Sequence, residues 1–350
     1  MSLSLLMSVL VSTQVAAVGS ASASSEKIEC RSGKPIAVEK YIVIGGIEQW
    51  VAIHGADCSK PLVLFIHGGP GNALSPYAHA VYGAWEKDFT LVQWDQRGAG
   101  RTFLRNPETA ESSLTVELMT QDGIELASYL TDHLHKKKVI LLGSSWGTIL
   151  GANMAKSRPE LFHAYLGTGQ IVNYRDNQSG TIVTLLALAK ADQDTKTITA
   201  IEALGPPPWT NPRNFGIARR ITRVYEAKTA TATPAGWWKP EAQYATPEDE
   251  AAAEAADDYS YLQFVGLKGD GMFSRVDLPA LGTHFETPIY LIMGASDLVT
   301  VPDVAKRYFD SIVAPRKEYF LLPAVGHDPN QAMVDAQYKI LKSLVLPAKN

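Results

Sequence analysis

The stretch VILLGSSWGTIL, residues 139–150, runs four apolar residues into two adjacent serines held between glycines. The pattern G-x-S-x-G fits one frame, Gly143-Ser144-Ser145-Trp146-Gly147, with Ser145 at its centre. Centring it on Ser144 would require glycine where Leu142 and Trp146 stand. An apolar strand before the motif and a helical pattern after it predict a strained strand-to-helix turn that raises the Ser145 hydroxyl above a sheet. The flanking glycines leave room for strand and helix to pass closely. A plain structural turn is the alternative, and the choice depends on whether the chain also supplies a base, an acid and oxyanion donors.

Outward from this stretch, apolar strand runs alternate with helical patterns. PLVLFIHGG (61–69) is followed by YAHAVYGAWEKD (77–88) and TLVQWDQRG (90–98). An amphipathic stretch over 115–135 leads into the serine strand, and WGTILGANMAKS (146–157) into HAYLGTGQIV (163–172). PIYLIMGASD (288–297), a helix over 302–312, KEYFLLPAVG (317–326) and a helix over 331–344 close the chain. Strand and helix repeated in this way predict an α/β class with a mostly parallel sheet covered on both faces. Residues 173–284 read differently, with helix signals and little strand character. There Thr246 is an N-cap, Pro247 opens the first turn and Asp249 follows three residues on. This segment is expected to be a helical lid inserted between catalytic-domain segments 24–172 and 285–350.

Serine is a weak nucleophile until a base takes its proton. His327, in AVGHDPN, falls in a loop just after the last strand, where a base could reach over the sheet edge. Asp297 ends the strand before it, at a carboxyl edge where sites in open α/β sheets lie. Asp328 is adjacent to His327 and faces it poorly. Ser145, Asp297 and His327 are therefore the expected triad, in the order serine, acid, histidine. One oxyanion donor is expected from the backbone of Trp146. The other is expected from the loop HGGPG (His67, Gly68, Gly69, Pro70, Gly71), with Gly69 the choice and Gly68 the alternative. His67 is read as organising that loop. A histidine base also predicts activity falling below roughly pH 6.

The 350 residues carry a net charge of −4 with 19% charged and 46% hydrophobic residues, which describes a globular chain without a basic stripe. Nucleic-acid binding is not expected. The run Lys136-Lys137-Lys138 is read as ending a helix, where cations suit the dipole. Residues 1–23 contain a short apolar stretch, Leu5 to Val11, and an A-x-A pattern at Ala21-Ser22-Ala23, so they are expected to be a signal peptide for export, without a lysine or arginine ahead of the apolar stretch. That stretch is too short to span a membrane. The only cysteines, Cys30 and Cys58, flank two strand runs joined through Gly45-Gly46 and would meet at the open end of a hairpin. A disulfide in an oxidising compartment and two free thiols are the alternatives. No zinc pattern is present, and the proposed chemistry calls for neither metal nor cofactor.

HGGPG (67–71), WDQRGAGRT (94–102) and GSSWG (143–147) together resemble the prolyl aminopeptidase (proline iminopeptidase) branch of the α/β hydrolases. The resemblance covers about 35–172 and 285–345. It implies an eight-stranded, mostly parallel sheet, the triad named above, and an architectural role for DQRG, with Asp95 and Arg97 as an ion pair bracing the site loop. Relatives that release N-terminal proline carry lid glutamates that hold the substrate amine, often near W-x-x-W-E, a pattern absent here. Glu226, Glu248, Glu250, Glu254, Asp257 and Asp258 are candidates for that task, and Trp209, Trp237 and Trp238 for an apolar wall. Gln170 is a candidate to approach the substrate, with an ordinary strand-end residue as the alternative. The reading is thus a serine aminopeptidase acting on small peptides, with an esterase, lactonase or amidase for a small non-peptide molecule as the competing one.

Overall fold

A computed structural model describes residues 28–107 and 113–345; the expected signal peptide lies outside the described residues. The strands are β1 (Ile36–Ile44), β2 (Ile47–Gly55), β3 (Leu62–Ile66), β4 (Thr90–Trp94), β5 (Val139–Ser144), β6 (Phe162–Thr168), β7 (Ile289–Gly294) and β8 (Lys317–Leu322). They form one eight-stranded sheet in the order β1-β2-β4-β3-β5-β6-β7-β8. β1 and β2 pair antiparallel, as do β2 and β4, and every other pair is parallel. Strand alternation explains the unbroken apolar runs. Leu62, Leu64, Ile66, Val139 and Leu141 enter one core, while Val63, Phe65, Ile140 and Leu142 enter the other. A strand buried on both faces has no polar side to show.

Around the sheet lie α1 (Ala78–Tyr82), α2 (Gly100–Arg105), α3 (Val116–His133), α4 (Trp146–Ser157), α9 (Pro302–Ser311) and α10 (Gln331–Val345). Between β6 and β7 come α5 (Tyr174–Ala191), α6 (Thr195–Glu202), α7 (Pro212–Glu226) and α8 (Pro247–Val265). Each of these four helices begins at a side chain that accepts a backbone N–H: Asn173, Asp194, Asn211 and Thr246. Such caps satisfy donors that have no intrahelical partner. Helices α5 to α7 share a cluster of their own, including Leu185, Ile201, Trp209, Ala218 and Tyr225, which meets the α/β body at Leu298. Helix α8 is held separately. Arg101 pairs with Asp249 at 3.0 Å, and the Ser260 hydroxyl donates to the Gly98 carbonyl at 2.7 Å.

One local expectation changes. The strand expected to run to Val172 ends at Thr168, because Gly169 takes φ +61° and turns the chain out of the sheet. The lysine run does follow the end of α3: after the Leu134 cap, His135 takes φ 53° and the Lys136 N–H donates to the Thr131 carbonyl at 2.9 Å, which closes the helix. The lysine side chains reach farther, Lys136 to the carbonyls of Cys58 and Lys60 and Lys138 to those of Pro159 and Phe162. Cys30 and Cys58 are joined in a disulfide beyond the open end of the β1–β2 hairpin, with Cα atoms 5.6 Å apart.

Candidate active site

Ser145 sits between β5 and α4 at φ 51° and ψ −118°, backbone that L-residues rarely adopt and that costs about 1–3 kcal/mol to hold. The surroundings hold it. Its N–H donates to the Thr168 carbonyl at 2.9 Å on neighbouring β6. A Cβ on Gly147 would collide with the Ile66 carbonyl oxygen, and one on Gly143 would lie 2.7 Å from the Gly147 carbonyl oxygen. The two glycines therefore let α4 cross directly over the ends of β3 and β5.

The Ser145 Oγ lies 2.9 Å from His327 Nε2, and His327 Nδ1 lies 3.0 Å from Asp297 Oδ2. Asp297 also accepts the N–H groups of Val299 and Thr300 at 2.9 and 2.8 Å and the Thr300 hydroxyl at 2.6 Å. These bonds fix the carboxylate and orient the imidazole. Burial works against the ionised forms of both residues, but each is the other's counter-charge. The His327 pKa is raised above its ordinary 6.5 and that of Asp297 is lowered below its ordinary 3.8. This arrangement can deprotonate a hydroxyl and stabilise the imidazolium that results.

The HGGPG loop lies beside the serine, where a Cβ on Gly68 would be 3.3 Å from Ser145 Cβ. Gly69 takes φ +114°, a region that favours glycine. Gly71 approaches α8 so closely that a Cβ would be 2.6 Å from the Ala256 carbonyl oxygen. Pro70 completes the loop without an N–H to place. Trp146 opens α4, so its N–H precedes the helical ladder. A chain of hydrogen bonds links the three motifs. His67 Nδ1 donates to the Gly68 carbonyl at 2.8 Å, and His67 Nε2 accepts the Gln96 N–H at 3.2 Å. The Gln96 amide donates to the His67 carbonyl at 3.0 Å and accepts the Trp146 indole N–H at 3.0 Å. Burial pushes the His67 pKa down to about 4, consistent with the neutral ring this pattern requires. Gln96 carried no functional signal beyond its place in WDQRG.

Three sequence expectations need correction. Asp95 and Arg97 do not pair. Arg97 reaches Asp122 on α3, with Nε at 2.9 Å, and donates to the Gly45 carbonyl at 2.8 Å. Asp95 accepts the Ser75 hydroxyl at 2.5 Å and the Arg101 N–H at 2.9 Å, so it braces the loop through neutral donors. Burial pushes its pKa up to about 6. Gln170 is withdrawn from the cavity. Its amide is taken up by the Tyr165 hydroxyl at 2.8 Å and the Ile171 carbonyl at 2.7 Å. Glu226 is not among the residues that line the cavity; its carboxyl lies by the His327 loop, 3.7 Å from where a Gly326 Cβ would be. It accepts the Leu298 N–H at 2.7 Å, and burial, followed by the Asp297 charge, raises its pKa.

The cavity over Ser145 has a volume of about 700 Å³. Its walls include Tyr77, Trp209, Phe215, Trp238, Phe264 and Phe273, whereas Trp237 belongs to a core cluster below. Of the lid acids considered, Asp257 lines it, and the Asn72 amide beside the HGGPG loop donates to Asp257 at 2.8 Å.

A model of the α/β hydrolase fold family matches residues 61–330. The probable aminopeptidase YbaC of Bacillus subtilis is 28% identical over 300 residues, covering 85% of this chain and 92% of that protein. A probable proline iminopeptidase of Streptomyces coelicolor is 33% identical over 112 residues, covering 31% of this chain and 32% of that protein. Among solved structures, the proline iminopeptidase of Mycobacterium smegmatis superposes with a TM-score of 0.61 at 18% identity, covering 88% of this chain and 98% of that one. An epoxide hydrolase from Vigna radiata superposes at 0.51 and 21% identity over 88% of this chain and 98% of that one, so likeness at this level concerns the fold alone. With its sheet order and most of its length accounted for in this way, the chain belongs to the α/β-hydrolase fold family and resembles that family's proline iminopeptidase-like branch.

Proposed function

We propose that this α/β-fold hydrolase is a serine aminopeptidase that releases proline or another small apolar residue from the N-terminus of short peptides. The observation that carries the reading is the unbroken chain Ser145 Oγ, His327 Nε2, His327 Nδ1, Asp297 Oδ2, with both contacts at 3.0 Å or less. His327 takes the Ser145 proton as the oxygen attacks the carbonyl of the first residue. The backbone N–H groups of Gly69 and Trp146 hold the oxyanion, and imidazolium His327 protonates the departing nitrogen. Water deprotonated by His327 then frees the acyl residue. Residues 173–284 act as the lid. Asp257, on α8, is assigned to the substrate's free amine in place of Glu226. Its place on the cavity lining, where it accepts the Asn72 amide beside the HGGPG loop, supports that assignment.

The Cys30–Cys58 bridge supports export to an oxidising compartment. The second reading, an esterase, lactonase or amidase for a small non-peptide molecule, draws on the aromatic side chains of the cavity wall and on the missing W-x-x-W-E pattern. Proline and alanine anilides assayed beside esters of matched acyl size separate the two. Cleavage that depends on a free α-amine supports the aminopeptidase. Brisk ester cleavage with no anilide release would replace it with the second reading.

A further inference from the structure

One wall of the cavity, formed by α5 and α7, carries polar groups that the proposed catalytic steps do not use. Arg219 Nη1 is buried and has no hydrogen-bond partner among the described residues. Nearby on the same lining, Gln178 is 5% exposed, and neither its Nε2 nor its Oε1 is partnered. Asn177 uses its Oδ1 to accept the N–H groups of Val172 and Asn173, which leaves Nδ2 as an unpartnered donor. A buried polar group without a partner costs roughly 1–3 kcal/mol, and more if it is charged. All three residues line the cavity, and a ligand group that reached these atoms would supply the missing partners.

The position of Arg219 says which part of a substrate it would meet. It rides on α7, whose C-terminal end abuts the His327 loop: a Cβ on Gly326 would be 3.7 Å from Glu226 Cδ, and the Thr231 N–H donates to the Ala324 carbonyl at 2.8 Å. Its charge accordingly opposes protonation of His327. In acyl transfer the leaving atom must reach His327 to be protonated. Groups carried by the leaving nitrogen therefore extend toward α7, whereas the acyl amine extends toward Asp257 on α8. Asp328 also lines the cavity, and Arg219 has no ion pair within 4.0 Å among the described residues, although its charge is felt by the carboxyl of Glu226 on the same helix. In a dipeptide the free carboxylate is one carbon from the leaving nitrogen, and a guanidinium recognises a carboxylate in a two-pronged fashion.

We infer that Arg219, assisted by Gln178 and Asn177, binds a carboxylate on the leaving group, so that the enzyme prefers dipeptides, or esters of hydroxy acids, over neutral counterparts. The inference rests on Ser145 and His327 being nucleophile and base, and it deepens the aminopeptidase reading without requiring it.

The test measures binding to the full chain carrying Ser145→Ala, by calorimetry, with Ala-Ala and with Ala-Ala amide. A parallel pair is the butyryl ester of lactate and that of lactamide. The carboxylate form should bind about tenfold or more tightly than its neutral partner. Adding Arg219→Gln should abolish that difference, and Arg219→Lys should restore part of it. If only the ester pair binds and shows the preference, the aminopeptidase reading fails and the carboxylate site stands. Equal affinity within both pairs, a preference untouched by Arg219→Gln, or no binding by any of the four compounds would overturn the inference.

Discussion

Gly71→Ala probes how tightly the HGGPG loop and α8 are coupled. The added Cβ would lie 2.6 Å from the Ala256 carbonyl oxygen and 2.9 Å from Asp257 Cα, both backbone atoms of α8. Relief to ordinary contact needs a displacement of roughly 0.5–1 Å, since carbon atoms settle near 3.5–4.0 Å from their neighbours. Neither side can yield freely. The Arg101–Asp249 pair and the Ser260–Gly98 bond hold α8, while a Gly68 Cβ position only 3.3 Å from Ser145 Cβ shows how close the loop is to the serine. Overpacking of this kind costs about 1–3 kcal/mol. A misplacement approaching 1 Å near reacting groups costs up to about a hundredfold in rate. The expected result is a melting temperature lower by several degrees and kcat/KM lower by roughly 10- to 100-fold on the best anilide or ester found. Gly216→Ala is the control. It lies inside α7, a Cβ there would meet only Arg220 at 3.7 Å, and alanine should stabilise the helix by about 0.5–1 kcal/mol. A Gly71→Ala enzyme with unchanged melting temperature and rate would refute the close coupling of loop and helix.

Further outcomes follow from the same geometry. Ser145→Ala should reduce turnover by roughly 10⁴-fold or more with an unchanged circular dichroism spectrum, and near-normal rates would remove the serine from its role. The raised His327 pKa moves the expected acid limb up from the roughly pH 6 of the sequence reading. kcat/KM should be lost as pH falls through a midpoint above 6.5, and a flat profile down to pH 4 would contradict a histidine base. Asp95, whose folded pKa of about 6 exceeds its ordinary 3.8, contributes stability that is complete below pH 3.8 and lost as pH rises through 6. Its share of the change is about 3 kcal/mol, so denaturant titrations of Asp95→Asn should lack that decline, and parallel curves for both proteins would refute it. Replacing Cys30 and Cys58 by serine opens a loop with a sequence separation of 28 and should cost about 3–4 kcal/mol of unfolding free energy, whereas an unchanged denaturation midpoint would assign the bridge no stabilising part.

What the sequence made legible was what chemistry and periodicity write locally. The frame around Ser145, the cap at Thr246 and the doubly buried strands each depend on residues a few positions apart. Pairings across the fold were legible only where motif order supplied them, as for Ser145, His327 and Asp297. Asp95 and Arg97 are two residues apart and looked like partners, yet the loop between strand and helix points them in different directions. The partner of Arg97, Asp122, stands 25 positions later on α3. The acids of α8 posed a similar difficulty, because which turn overlooks the cavity is set by how the helix docks on Gly71 and Gly98, and the acidic run itself does not encode that. Gln170 and Glu226 were chosen for polarity at promising positions, and the structure gives each of them a buried partner instead.

The separate cluster that ties α5, α6 and α7 together has a consequence for how such an enzyme changes over time. The backbone donors and the serine are braced from the sheet and from α8. Gln178 and Arg219, by contrast, ride on helices whose mutual packing involves Leu185, Ile201 and Ala218. Under the proposed function, the cavity-facing residues of that module, and with them the molecules admitted, can change without disturbing Ser145, His327 or Asp297.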